Sequence, residues 1–340
     1  VGIGLAYAGW GVWALVWANL VQTGVNTVLL LIGHPPSFSL WPDRQSVRDL
    51  TYFGGGFTIG RVANYLAVQG DNLVTGRWLG ASALGVYSRA YQLMAVPSVL
   101  FGDVLDNVLF PSLSRLQDDK ARLGSAYVRG VSLIALLMLP TSVFLVVLAP
   151  ELIRVVLGPK WEAVVGPFQV LGAGMLFRTS YKMSDSLARA TGAVYRRAWR
   201  QALYAGMVIG GALIGQRAGV TGVAVAVSLA LGINFVMMAH LSLQVCEIGW
   251  GRFLRAHLPA AALAAASGLA GWMLVEMLRH AGVPPLARLL GAGLASVLVS
   301  LCLLKAWPEQ FLGTNGTWLL QTFRAYVSQR FAPAPAPERG

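Results

Sequence analysis

The sequence predicts an all-α protein, a polytopic helix bundle that crosses a membrane several times. Three observations carry that prediction. Of 340 residues, 56% are hydrophobic and only 12% are charged, with a mean hydropathy of +0.62. An ordinary soluble domain carries about 25% charged residues, so this surface holds too little charge to face water. The apolar residues also come in long runs, such as 12–32, 133–148 with its flanks, and 220–239. About 20 consecutive apolar residues cross a bilayer as a helix. Finally, the basic residues lie mainly between these runs.

The elements follow from the polar and Pro/Gly breaks between runs. Residues 1–8 read as the tail of one helix. Candidate spans follow near 11–33, 51–75, 82–110, 130–149, 163–182, 196–215, 219–243 and 256–278, with one more near 286–304, so eight or nine full spans are expected. Gly54–Gly55–Gly56 and the pairs Gly206/Gly210 and Gly211/Gly215 suit close helix contact in lipid, or reflect the glycine content usual in membrane helices. Beyond Pro308, Phe311, Leu319, Leu320, Phe323 and Tyr326 would form a short interfacial helix, with Arg324 and Arg330 on its polar side. The Pro/Ala stretch from Ala332 reads as extended or disordered. Residue 1 is Val inside an apolar stretch, with no Met and no signal-peptide layout. The chain therefore reads as a fragment lacking its N-terminal part.

The 26 basic residues outnumber the 14 acidic ones, a formal charge of +12. In a soluble protein such a surplus would suggest nucleic acid. Between membrane spans, anionic lipid headgroups and the positive-inside bias explain it, and no nucleic-acid partner is expected. Spans alternate in direction, so the charges can be counted by side. Seventeen lie on the side of the loops near 45, 115, 190 and 254, six lie on the other, and Arg61, Arg89 and Arg178 fall within spans. The crowded side is then the cytoplasm.

Ionisable groups inside a membrane are costly and face a cavity or a partner. In the span 51–75, with Arg61 at zero and about 100° per residue, Asn72 falls at about +20°, Tyr65 at +40°, Thr58 at +60°, Gln69 at +80°, Asn64 at −60° and Asp71 at −80°. Seven polar side chains thus share one half of the helix. Phe57, Val62, Ala63, Leu66 and Val74 are assigned to the other half. In the next span Arg89, Gln92, Asp103 and Asn107 form a second stripe, with Ser88 and Asp106 at its edge and Pro97 able to kink it. A third stripe ends the span 163–182 with Arg178, Tyr181, Lys182, Asp185 and Arg189. Three polar faces imply a hydrophilic cavity of transporter size. Plainer readings stand beside this one. Asp185 with Lys182 and Arg189 has the spacing of a salt-bridge cluster; Asp103 and Asp106 would cap or pair at a helix end; Asp71 is within reach as a partner for Arg61 or Arg89. A guanidinium among apolar neighbours otherwise needs an anionic ligand.

No catalytic pattern is found. His34, His240, His257 and His280 show no metal-ligand spacing, and Cys246 and Cys302 have no paired spacing. No G-x-S-x-G, P-loop or Rossmann glycine pattern occurs. The longest loop on the non-cytoplasmic side, about 150–162, is short for a membrane ligase or polymerase. Neither enzyme nor cofactor is expected.

Several stretches resemble the polysaccharide transport family of lipopolysaccharide and exopolysaccharide flippases. They are Gly9-Trp-Gly-Val-Trp-Ala-Leu-Val; the stretch from Asp71 through Gly80-Ala-Ser-Ala-Leu-Gly-Val-Tyr-Ser-Arg-Ala-Tyr-Gln-Leu; Leu109-Phe-Pro-Ser-Leu-Ser-Arg-Leu-Gln-Asp-Asp-Lys-Ala-Arg-Leu; Val156-Leu-Gly-Pro-Lys-Trp; and Ala188-Arg-Ala-Thr-Gly. The resemblance covers about residues 1–200. It implies a Wzx-type member of the MOP flippase superfamily, akin to lipid II flippases and MATE exporters, with two six-helix lobes around a central cavity. On that pattern the chain is the C-terminal part of a two-lobe transporter: 1–33 ends the first lobe, 34–50 is a cytoplasmic loop, 51–243 is the second lobe, 256–304 holds two additional helices and 305–340 is a cytoplasmic tail. Such proteins carry undecaprenyl-diphosphate-linked oligosaccharide across the bacterial inner membrane by alternating access. Some couple this to Na⁺ or H⁺, and polysaccharide polymerase or assembly machinery is an implied partner. The cavity residues then acquire expected roles. Arg61 and Arg89 would bind the diphosphate, with Arg178 as a further cavity cation. Asn64, Tyr65, Gln69, Asn72 and Gln92 would bond sugar hydroxyls, and Asp71 would be the coupling carboxylate. A MATE-like exporter of small molecules is the alternative, although embedded arginines disfavour cationic cargo.

Overall fold

The computed structural model describes residues 1–33, 43–308, 310 and 311; of residues 12, 15, 46, 49, 53 and 100–112 it describes the backbone alone. Among the described residues every regular element is helical. In order the α-helices are α1 (Gly2–Tyr7), α2 (Val12–Gly33), α3 (Arg44–Val74), α4 (Gly80–Ser114), α5 (Lys120–Val147), α6 (Ala149–Val156), α7 (Val165–Ala173), α8 (Met175–Ala190), α9 (Val194–Gly215), α10 (Gly219–Cys246), α11 (Trp250–Arg255), α12 (Leu258–His280) and α13 (Pro285–Ala306), with a π-helical turn at Thr75–Leu79 and short 3-10 turns at Pro159–Val164 and Gln216–Ala218. The interfacial helix expected beyond Pro308 and the Pro/Ala tail fall on residues 309 and 312–340, outside the described residues. The side chains of Asp103, Asp106 and Asn107 do likewise.

The chain divides into two compact units, 1–52 and 53–340. In the first, α1 turns back onto α2 through Gly9 and Gly11, both at positive φ, a conformation open to glycine at little cost. Gly2 sits against Ala18.

In the second unit the helices largely follow the predicted apolar runs, with two informative departures. The run 163–182 is not one helix: the chain breaks at Gly174 and resumes as α8. The run 130–149 begins ten residues early, at Lys120, because Asp119 caps the helix by accepting from the Arg122 backbone N–H at 3.0 Å. Leu123 and Tyr127 in that extension are buried, and Tyr127 shares a 2.8 Å hydrogen bond with Ser184. The polar residues there project one helix past the apolar run.

Among the described residues, five helical stretches are long and apolar enough to cross a membrane: Val16–Gly33, Lys120–Val147, Val194–Cys246, Trp250–His280 and Pro285–Ala306. The third contains α9 and α10, which fold back on each other at Gly215 and Gly222, where an added Cβ on either would strike the other's backbone. The core is built from α4, α5, α7, α8 and α10 around Tyr87, Ile134, Met138, Phe168, Met175 and Leu187. Side chains such as Leu229, Leu269, Leu294 and Leu301 point outward, as suits a surface solvated by lipid.

α3 is held by a seam of small residues. Gly56, Gly60, Ala63, Ala67 and Gly70 are buried at three- and four-residue spacing. A Cβ on Gly56 would meet Val194, one on Gly60 would meet Arg197, and one on Gly70 would meet Ile209, all on α9. Gly211 and Gly215 also pack closely, whereas Gly54, Gly206 and Gly210 face open space. The predicted glycine contacts are thus only partly made.

Candidate functional site

Packing α3 on α9 turns the opposite edge of α3 toward α8. Between them lies a cavity of about 500 Å³, lined by Phe57, Arg61, Asn64, Tyr65 and Val68 of α3, Tyr181, Lys182, Asp185 and Arg189 of α8, and Arg197 of α9. It sits at the end of the unit carrying the 190 loop. Four cations and one carboxylate line it, together with an amide and two phenols.

The cations are held in distinct ways. Arg61 lies 5.5 Å from the Phe57 ring centroid, and Arg197 approaches the same ring at 5.9 Å. A cation near a ring face is stabilised by the ring's electrons while its N–H groups stay available to an acceptor. Asp185 accepts from Arg197 Nε and lies 3.2 Å from Arg189 Nε. Arg197 is only 5% exposed, and its Nη1 has no hydrogen-bond partner among the described residues. That nitrogen lies where a side chain on Gly60 would be.

The residues singled out from sequence fall into two groups. Arg61, Asn64 and Tyr65 line the cavity. Gln69, Asn72, Arg89 and Gln92 form local polar pairs elsewhere: Asn72 Nδ2 donates to Gln69 Oε1 at 3.1 Å, and Arg89 Nη1 donates to Gln92 Oε1 at 2.9 Å. Ser88 Oγ reaches Asn72 Oδ1 at 3.5 Å, joining α4 to α3. Arg178 donates to the Tyr91 hydroxyl and stacks at 4.4 Å on that ring.

Three expectations need correction. Arg61 and Arg89 are exposed rather than enclosed by apolar neighbours. Asp71 pairs with neither of them: it is 1% exposed and accepts from the Tyr87 hydroxyl at 2.6 Å and from the Asn72 backbone N–H at 2.8 Å. Phe57, one turn before Arg61, stands on the cavity face and not on the apolar half.

In the sequence, Arg197 is one of the seventeen basic residues counted on the side of the loops near 45, 115, 190 and 254. The sign of its true place is phase: Val194, Arg197, Ala198, Gln201, Tyr204 and Val208 are the buried stripe of α9, so an arginine occupies a core position. The salt-bridge reading of Asp185 with Arg189 holds in geometry, but the cluster gains Arg197 and opens onto the cavity.

Residues 1–166 match the protein family described as "Polysaccharide biosynthesis protein". The lipopolysaccharide biosynthesis protein WzxC of Escherichia coli K12 is 30% identical over 43% of this chain and 30% of its own length. The teichuronic acid biosynthesis protein TuaB of Bacillus subtilis 168 is 25% identical over 78% of this chain and 56% of its own. The succinoglycan biosynthesis transport protein ExoT of Rhizobium meliloti is 28% identical over 46% of this chain and 32% of its own. The chain therefore spans between about a third and just over half the length of these relatives. Among solved structures, the lipid II flippase MurJ in an inward closed conformation superposes with a TM-score of 0.61 at 17% identity, over 81% of this chain and 57% of that one. The likeness shows a shared fold.

Proposed function

We propose that this multi-pass membrane protein, related as it is to proteins of polysaccharide biosynthesis and transport, carries a lipid-linked oligosaccharide from the cytoplasmic to the periplasmic leaflet of the bacterial inner membrane. The observation that carries the reading is the cavity between α3, α8 and α9, where Arg61, Lys182, Arg189 and Arg197 converge beside Asn64, Tyr65 and Tyr181. A diphosphate headgroup is matched by several converging cations, and guanidinium forks suit its oxygens well. The attached sugar needs amide and phenol groups for its hydroxyls, and aromatic faces for its C–H faces. The cavity joins both chemistries. Asp71 is kept as the coupling carboxylate: buried and hydrogen-bonded to Tyr87, it would exchange that bond when it takes up H⁺ or Na⁺.

The test is glycan export in cells that depend on this protein. Arg61→Ala should abolish export and raise the lipid-linked intermediate in the cytoplasmic leaflet, with normal protein levels in the membrane. Arg89→Ala, outside the cavity, should cost much less. Full export by Arg61→Ala would refute the assignment.

A further inference from the structure

The one carboxylate in the cationic cavity is placed as a ligand would be. Asp185 lies on α8 one turn before Arg189, and its two oxygens serve different helices: Oδ2 faces Arg189 Nε at 3.2 Å and Oδ1 accepts from Arg197 Nε on α9. Its side chain is 15% exposed and that of Arg197 is 6% exposed, so the pair sits in the cavity wall. A guanidinium presents five N–H donors in a rigid fork. Asp185 uses the Nε edge of Arg197, while Nη1 stays buried without a hydrogen-bond partner among the described residues. A buried charged donor left unmatched is costly, and a further acceptor brought to it would relieve that cost. Phosphate oxygens match this fork.

We propose that Asp185 is a resident counterion for the anion-binding cavity. Between substrates it holds Arg197 in position, and it yields that edge when the phosphate oxygens of an anionic headgroup arrive. The inference rests on the reading of the cavity as a site for such a headgroup. Loading then becomes an exchange of one anion for another, which keeps the affinity low enough for release on the far side.

A purely structural ion pair makes the opposite prediction. If Asp185 only orients Arg197, removing its charge scatters the guanidinium and weakens anion binding. If Asp185 competes with the ligand, removing its charge strengthens binding. The full chain, purified in detergent, is titrated calorimetrically with inorganic pyrophosphate at constant ionic strength. Asp185→Asn and Asp185→Ser should each bind about tenfold tighter than wild type, and Asp185→Glu should bind like wild type. Two neutral variants are used so that one poorly folded protein does not decide the matter.

Tighter binding by either well-folded neutral variant supports the counterion. If wild type binds and both neutral variants bind equally or more weakly, the counterion role is overturned while the cavity reading stands. If none of these proteins binds pyrophosphate, both readings fall. The same phosphate chemistry is offered by a prenyl diphosphate and by ordinary phospholipid. Displacement of pyrophosphate by farnesyl diphosphate but not by phosphatidylglycerol assigns the headgroup to the former, and displacement by both overturns that assignment.

Discussion

A single missing methyl group at Gly60 shapes the cavity wall. A Cβ there would lie 2.5 Å from Arg197 Nη1, closer than any real contact permits. The struck atom ends a flexible side chain, and alanine favours a helix over glycine by about 1 kcal/mol. Gly60→Ala should therefore displace the guanidinium and leave α3 folded. Pyrophosphate affinity should fall about as far as in Arg197→Gln, whereas Gly206→Ala, which meets open space, should bind like wild type. Calorimetric titration of the three variants checks this; wild-type affinity in Gly60→Ala would mean that Arg197 does not need the gap. Legibility also differs by residue. Arg61 was readable because a charge within a span is rare enough to stand out. Arg197 was not, since it follows Arg196 in a basic run that looks like a loop. Its burial shows only in the helical phase it shares with Val194 and Gln201.

At the scale of elements, one ion pair ties the last helices to the rest of the second unit. Glu151 on α6 is 3% exposed and accepts from Arg279 of α12 through both oxygens, at 2.8 and 2.9 Å. Glu276 adds a second acceptor for the same guanidinium at 3.0 Å. Burial alone would raise the Glu151 pKa, but the hydrogen bonds and charge of Arg279, with Arg288 behind it, outweigh burial and hold the carboxyl below its ordinary value. A lowered folded-state pKa stabilises fully above the ordinary carboxylate range, about 4.3, and that stability is lost as pH falls through the lowered value. Thermal unfolding in detergent should show this acid loss in wild type and a weaker one in Glu151→Gln. Arg279→Ala should be the more damaging change at neutral pH, by about 1–3 kcal/mol, because it leaves a buried carboxylate short of its partners. A flat pH profile in wild type would contradict the assignment. The pair joins residues 128 positions apart, so no local pattern could have announced it. The break at Gly174 was equally hidden, because the apolar run continues through it and hydropathy does not register a turn.

Across the whole molecule, charge and hydropathy predict a topology that can be tested directly. Cys246 is buried and Cys302 is exposed, so a Cys302→Ser background is suited to labelling. In intact cells a membrane-impermeant maleimide should label Lys160→Cys and Arg217→Cys, and should label Gln117→Cys only after permeabilisation. The reverse pattern would invert the orientation drawn from the charge count. By itself the sequence determined the membrane class, the approximate place of the helices in the second unit and the part of the α3 polar face that carries Arg61, Asn64 and Tyr65. All three depend on local quantities: transfer free energy along a run, and the 100° advance of each residue. Only the tertiary structure decided which polar faces meet. It turned Asp71 toward Tyr87 instead of an arginine, left Arg89 with Gln92, and brought Arg197 across to Asp185 and Phe57. The physical reason is that phase names the face a side chain occupies but not the helix opposite. That partner is set where the small residues Gly56, Gly60 and Gly70 admit side chains of α9, a property of two helices together.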